Sequence, residues 1–282
     1  MKSSYFNVEE KFEQIRDIDY VDIAKELDLR ESDTLLIVSD VKNLALHEMR
    51  AGRKFDAQKF INSFKEQLPN GTLLFHAFND NLVSGDVFDY KNSKPNTGSL
   101  SVTAWKDPEF VRTIDPFHSF MVWGEGAEKL KKLNDVSTFG KNSVFAWLHY
   151  TRAKLLIIDL PLAKSFTYVH YCEEKLRVKY RKHKKHRIRY IDENGKKSVV
   201  KKRFFTRKCG YRNYLDDLEK SMWDEGISQY FLFNKSKFML IELNSTYNLL
   251  RSEIYPRGLL KLYKFSFKVW VKDVLKKMLF MR

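Results

Sequence analysis

The chain has 282 residues, 43% of them hydrophobic and 15% aromatic, enough apolar material for a full core, which excludes a disordered or fibrous polypeptide. Its net charge of +15 is uneven: residues 175–208 hold sixteen Lys or Arg against two acids, residues 257–282 hold eight against one, and the remainder is mildly acidic. That confinement argues against a uniformly basic nucleic-acid binder.

No apolar run approaches the length of a bilayer span, and residues 1–19 are polar and rather acidic, without the apolar core of a signal peptide. A cytoplasmic protein is expected. Two cysteines, Cys172 and Cys209, show no metal-ligand spacing and suit a reducing compartment, so no metal is expected.

Residues 12–27 predict a helix, with Phe12, Ile15, Ile18, Val21, Ile23 and Leu27 on an imperfect apolar stripe. A short apolar strand follows at 33–38 and ends at Ser39-Asp40, after which a helical pattern runs through Leu44 and His47. In an α/β protein this places Ser39, Asp40 and Val41 in the loop at the carboxyl end of a strand, where ligands bind. A Ser or Asp helix cap accounts for the same residues.

Residues 56–67 predict a second helix, stopped by Pro69-Asn70-Gly71, and 72–76 a second strand that ends in His76. The polar, Asn- and Ser-rich stretch 79–106 predicts a long loop, of a length that is often functional. Arg112, Thr113, Asp115, His118 and Ser119 then lead into an apolar strand that runs to Gly124; they are either a site or ordinary Asp-Pro turn chemistry. A helix at 143–150 leads to the most apolar strand, 155–160.

Directly after that strand stands Thr167-Tyr168-Val169-His170-Tyr171-Cys172-Glu173. A helix starting near Ser165 or Thr167 puts Thr167, His170 and Glu173 one turn apart on one face. A histidine titrating near neutrality takes a proton, a carboxylate one turn away orients it or holds a cationic substrate, and a hydroxyl completes the set. The spacing also fits a structural histidine, and Cys172 reads as a buried, inert thiol.

Residues 187–192 and 196–205 alternate apolar and basic residues around an Asn194-Gly195 turn, which predicts a β-hairpin within a basic block of about 180–207. It suits phosphate groups, and its lysines equally suit a solvated edge. His183 and His186 are expected to face solvent. A helix at 214–225, strands at 228–233 and 238–241 and a helix at 243–254 complete a domain of residues 1–256. The tail, 257–282, predicts a basic amphipathic helix in which Phe267, Trp270, Val271 and Met278 interleave with lysines. Such a helix lies on an anionic membrane surface, or packs on the body or on a second copy of the chain.

In order along the chain, Asp33-Thr34-Leu35-Leu36-Ile37-Val38, Asn70-Gly71-Thr72-Leu73-Leu74, Arg112-Thr113-Ile114-Asp115-Pro116-Phe117-His118-Ser119-Phe120 with Trp123-Gly124, Phe139-Gly140 and the 167–173 motif resemble the aminoglycoside 3-N-acetyltransferase family. The resemblance is best over about 30–180. It implies a three-layer α/β/α scaffold with a central mixed sheet, here with an added basic β-hairpin and a C-terminal amphipathic helix. It also implies transfer of an acetyl group from acetyl-CoA to a sugar amine, without a metal. Residue by residue, the resemblance implies His170 as catalytic base, Glu173 as its following carboxylate and Thr167 as the opening of the motif. Ser39, Asp40 and Val41, with Arg112, Thr113 and Ser119, correspond to the cosubstrate side of the cleft. Asp115, His118 and His76, with Glu173, correspond to the acceptor side.

The departures from the family bear on the substrate. Ser39-Asp40-Val41 stands where resistance enzymes usually have His-Ser-Ser, Asp115-Pro116 where they have His-Pro, and Phe75-His76-Ala77-Phe78 where they tend to end in Pro-Thr-Phe. These changes, with a basic block just downstream of the motif, suit an anionic acceptor better than a polycationic aminoglycoside. The expected acceptor is an amino sugar, nucleotide- or lipid-linked, in surface-polysaccharide biosynthesis. An aminoglycoside resistance enzyme is the alternative, and a non-catalytic polyanion-binding protein carried by the hairpin is the second. Peripheral association with the inner face of the cytoplasmic membrane, or a homo-oligomer, depends on what the tail binds.

Overall fold

The computed structural model describes residues 14–254 and 262–279. Its strands are β1 (Gln14–Arg16), β2 (Thr34–Ser39), β3 (Thr72–His76), β4 (Val87–Asp89), β5 (Val111–Arg112), β6 (Phe120–Gly124) and β7 (Lys154–Ile158), then β8 (Arg181–Ile191), β9 (Lys197–Arg207), β10 (Tyr211–Asn213), β11 (Ser228–Phe233), β12 (Ser236–Glu242) and β13 (Tyr263–Phe265). Its helices are α1 (Lys42–Arg50), α2 (Ala57–Gln67), α3 (Ser99–Lys106), α4 (Ala127–Lys131), α5 (Val144–Tyr150), α6 (Leu162–Ser165), α7 (Val169–Lys175), α8 (Asp216–Asp224), α9 (Leu243–Ile254) and α10 (Phe267–Leu279).

Eight strands form one mixed sheet in the order β1-β11-β12-β7-β2-β3-β6-β5. At its centre β2 runs parallel to both β3 and β7, and antiparallel β6 and β12 flank the trio. These central strands are apolar on both sides because alternate residues serve opposite faces. Leu35, Ile37, Leu73, Phe75, Leu156 and Ile158 pack with Leu44, Phe60, Phe64, Leu100 and Ala104 of α1, α2 and α3. Leu36, Leu74, Phe120, Val122, Leu155 and Ile157 pack with Leu130, Phe145, Leu148, Val169, Cys172 and Leu218 of α4, α5, α7 and α8. The result is the expected α/β/α sandwich. Its parallel strands β2, β3 and β7 end at Ser39, His76 and Ile158, and β6 begins at Phe120 beside His76, so one edge of the sheet collects these loops.

Three expectations about elements need correction. The helix expected over 12–27 is absent from its described part: Gln14–Arg16 is an edge strand parallel to β11, and only Ile23–Glu26 winds, as a 3₁₀ turn. Asn234 enforces this from a distance, because its side chain accepts from Ile18 N and donates to Ile18 O. Phe12 lies outside the described residues. The stretch 79–106 is not one loop, since Ser99–Lys106 forms α3 and Val87–Asp89 pairs with β8.

The third correction concerns the basic block. β8 and β9 pair over eleven residues each, and β4 adds a third, parallel strand, so the hairpin is part of a small sheet. Phe88, Phe117, Ile188 and Tyr190 form its own core. Side chains alternate along β8, which puts His186 on that inner side. His186 is therefore buried against Phe117 and Phe204 and does not face solvent, whereas His183 is exposed. In the tail, β13 pairs antiparallel with β10 and α10 follows it; the expected boundary at Pro256 lies outside the described residues. Among the described residues no helix is long and apolar enough to cross a membrane.

Candidate active site

The 167–173 motif is set by the turn that follows β7. Asp159 adopts φ +52°, α6 runs only from Leu162 to Ser165, and the chain bends at Phe166 before α7 begins. Thr167 thus precedes the helix and lends its carbonyl, which accepts from His170 N at 3.0 Å. His170 and Glu173 share one face of α7, and His170 Nδ1 lies 2.8 Å from Glu173 Oε2. A carboxylate only accepts, so this contact assigns the proton to Nδ1 and the lone pair to Nε2.

Glu173 is fully buried, and its carboxylate is already engaged. Tyr180 donates to Oε1 at 2.8 Å, and Arg181 Nε stands 2.6 Å from Oε2, an ion pair without the alignment of a hydrogen bond. Arg181 is itself held by Phe205 O at 2.9 Å and by Tyr263, whose hydroxyl accepts from Nη2 at 2.6 Å. The same Nη2 faces His170 Nε2 at 3.2 Å. Of the two roles open to Glu173 in sequence, orienting His170 or holding a substrate amine, this geometry favours the first. Burial lowers the His170 pKa below its usual value; Glu173 opposes that shift and the Arg181 charge adds to it. Burial likewise raises the Tyr180 hydroxyl, and the Tyr263 hydroxyl to about 12, so both stay protonated.

A second buried ion pair stands on the same side. Lys202 Nζ, from β9, reaches Asp115 Oδ2 at 3.0 Å, Asn134 Oδ1 at 3.1 Å and Asp135 O at 2.7 Å. Asp115 Oδ1 caps the following turn by accepting from Phe117 N and His118 N at 2.9 and 3.0 Å. Burial acts to raise the Asp115 carboxyl, but Lys202 and the His118 amide outweigh it and hold it low. His118 stacks on Phe204 and packs on Phe139, which in turn packs edge-on against His170. Burial lowers His118 to about 4 and His76, stacked on Phe78, to about 3. His118 Nδ1 and His76 Nε2 are buried without hydrogen-bond partners.

Other candidates serve the frame. Arg112 spends its donors on Ser119 Oγ, Ala77 O, Asn79 Oδ1, Tyr90 O and Ser93 O, tying the loop after β3 to the entry of β6. Ser119 Oγ donates to Ala77 O, and Thr113 Oγ1 accepts from Phe120 N. All three are buried. Asp40 and Val41 form the loop between β2 and α1, whereas Ser39 is the last residue of β2, paired with Ile158; the three stand at the same sheet edge as His76 and His118, and Asp40 is exposed, its carboxylate capping Lys42 N at 3.0 Å. Among the described residues no group of three His, Cys, Asp or Glu side chains is placed to hold a metal.

Residues 45–253 match the sequence pattern of the aminoglycoside 3-N-acetyltransferase family. The chain belongs to that family. Its fold agrees with solved N-acetyltransferases: the aminoglycoside acetyltransferase AAC(3)-IIb superposes with a TM-score of 0.70 at 16% identity, over 84% of this chain and 96% of that one. AAC-IIIb in binary complex with CoASH gives 0.67 at 18%, over 83% and 95%, and YokD from Bacillus subtilis 0.67 at 15%, over 83% and 97%. No curated protein sequence matches the chain. At such identities the likeness is one of fold, and the family assignment makes this protein an N-acetyltransferase.

Sequence reasoning missed Arg181, Lys202, Tyr180 and Tyr263. Lys202 carried a readable signal, since it alternates with Val200 and Phe204 and so shares their inner face. Arg181 carried none. It has the parity of the exposed Lys185 and Arg187, and it is buried because Glu173 and Tyr263 enclose it.

Proposed function

We propose that this acetyltransferase uses acetyl-CoA to acetylate an amino sugar carried on an anionic group, a nucleotide or a lipid-linked phosphate, in surface-polysaccharide biosynthesis. The observation that carries this reading is that two carboxylates on this side of the sheet, Glu173 beside His170 and Asp115 in the turn that leads to His118, are each paired with a buried cation, Arg181 and Lys202. A polycationic acceptor needs unpaired carboxylates near its amines. The outer face of the β8–β9 ribbon supports the same choice. Lys185 stands directly opposite Arg203, and Arg187 opposite Lys201, all exposed. Like charges paired across strands are unfavourable, and an anionic carrier relieves them. The neighbours' own ligands favour a second reading, aminoglycoside acetylation, because AAC-VIa is bound to sisomicin and a mutant of AAC(3)-IVa to a gentamicin.

The chemistry follows from the tautomer. An amine arrives as ammonium, and its proton must leave before nitrogen attacks the thioester carbonyl. His170 is unprotonated at neutral pH because burial lowers its pKa, and Glu173 keeps the available lone pair on Nε2. Arg181 Nη2, which shares that lone pair, has to yield as the acceptor's proton arrives. Two protons leave the nitrogen in all: one passes to solvent as the ammonium becomes the free amine, and His170 takes the other as the N–C bond forms and returns it to the departing thiolate as the C–S bond breaks, so the base is regenerated. The bound CoASH of AAC-IIIb supports CoA as the carrier, and the Ser39-Asp40-Val41 loop is the place proposed for its thioester arm.

Thiol release from acetyl-CoA, measured with UDP-, GDP- and dTDP-linked amino sugars beside kanamycin-type aminoglycosides, tests this reading. Turnover on a nucleotide sugar that falls roughly a hundredfold or more in His170→Ala is expected. Turnover on the aminoglycosides alone would establish the second reading.

A further inference from the structure

Helix α10 turns its apolar side away from the protein. It is fastened to the body by Val269, which is buried, and by Asp273, whose Oδ2 accepts from Gly210 N at 3.0 Å. Gly210, at φ +88°, has no room for a side chain: a Cβ there would come within 2.4 Å of Phe265 and 2.9 Å of Trp270. The root of the helix is thus seated firmly. At roughly 100° per residue, Phe267, Trp270, Val271, Val274, Leu275 and Met278 fall on one stripe, nearly opposite Val269. Phe267, Met278 and Leu275 are 69%, 65% and 55% exposed, and Phe265 in β13 is 56% exposed. A surface helix ordinarily buries such a stripe, and a contiguous exposed one marks an interaction site.

The charge beside the stripe identifies the partner. Lys268 and Lys272 are exposed and four residues apart, so they stand one above the other along one flank of the stripe. Their stems are long enough to bring ammonium groups level with a plane that the stripe enters. We propose that α10 lies on an anionic lipid surface, with the aromatic pair Phe267 and Trp270, stacked at 5.7 Å, and Leu275 and Met278 at the acyl boundary, and the two lysines at the phosphates. A second copy of the chain fits less well, because pairing two stripes brings the lysines of both copies together.

The seat on lipid is joined to the base. Tyr263 stands in the strand that leads into α10, and its hydroxyl holds Arg181 beside His170. A lipid-linked acceptor would therefore be met close to the surface that carries it; that consequence rests on the amino-sugar reading, whereas lipid binding does not.

Co-sedimentation of the full chain with phosphatidylcholine vesicles, with and without phosphatidylglycerol, tests the proposal without reference to activity. Binding to the phosphatidylglycerol vesicles is expected, with loss of most of it at about 0.5 M salt. The double variant Phe267→Ser with Leu275→Ser should bind about tenfold more weakly or worse, with thermal unfolding unchanged because both side chains are exposed. Lys268→Glu with Lys272→Glu should abolish the preference for the anionic lipid. Absence of binding by the wild-type chain, or equal binding by the serine variant, overturns the proposal. So does a concentration-dependent dimer in sedimentation that the serine variant disrupts, which would assign the stripe to a second copy.

Discussion

Arg181 changes what His170 and Glu173 can do. Its charge helps to lower the His170 pKa and occupies the carboxylate that would otherwise attract an ammonium group. The folded pKa of His170 lies below 6.5, so the base form persists to lower pH than in a free histidine. The acid limb of the kcat/KM profile is therefore expected to have its midpoint below that value, with activity lost as pH falls through it. In Arg181→Gln the cation is gone and the midpoint moves upward. Glu173 then keeps its bonds to Tyr180 and His170 but loses its neutralising cation, and selectivity shifts toward cationic amines; pH–rate profiles on paired acceptors check both effects. Glu173→Gln leaves Arg181 buried and unpaired, and a loss of about 3–5 kcal/mol in urea unfolding is expected.

At the scale of elements, the sheet around the site is braced by charge as well as by packing. Lys202 fastens β9 to the 134–135 segment and to the turn capped by Asp115. Lys202→Met keeps the apolar stem but leaves the half-buried Asp115 beside no cation. A loss of about 3 kcal/mol in stability is expected, with faster amide exchange through residues 134–138 as the local readout. The central strands were legible in sequence because each is a short, doubly apolar run, and Thr72–His76 forms with the expected boundaries. β1 was not legible. Ile15 and Ile18 give a helical spacing, yet Asn234, more than two hundred residues away, binds both backbone groups of Ile18 and holds the segment extended. α3 was missed because only Leu100, Ser101 and Ala104 of its face are buried, too sparse a pattern to stand out in a polar stretch.

Across the whole molecule, burial of His76 and His118 ties stability to pH. Both are depressed, to about 3 and about 4, so the unfolded chain takes up their protons near 6.5 while the native one refuses them. Stability is then fully present above pH 6.5 and falls as pH drops from there toward 4, by about 1.4 kcal/mol per pH unit for each histidine. Denaturant midpoints across that window measure the slope, which His76→Leu should reduce by about 1.4 kcal/mol per pH unit, the share of one histidine.

The amino-acid sequence by itself determined the apolar strands, their alternation with helices and the spacing of His170 and Glu173, because strand pattern and helical spacing are local properties that side-chain type encodes directly. The confinement of positive charge to two blocks was equally legible. Only the tertiary structure decided which of those many cations turn inward. Arg181 looks like its neighbours in a row of lysines and arginines, and Lys202 differs from its own only in sharing the parity of Val200 and Phe204. Their roles arise from the partners that folding brings to them, Glu173 and Tyr263 for one, Asp115 and Asn134 for the other. The outward stripe of α10 is likewise a product of folding, because a sequence shows that a helix has an apolar side but not whether the body covers it.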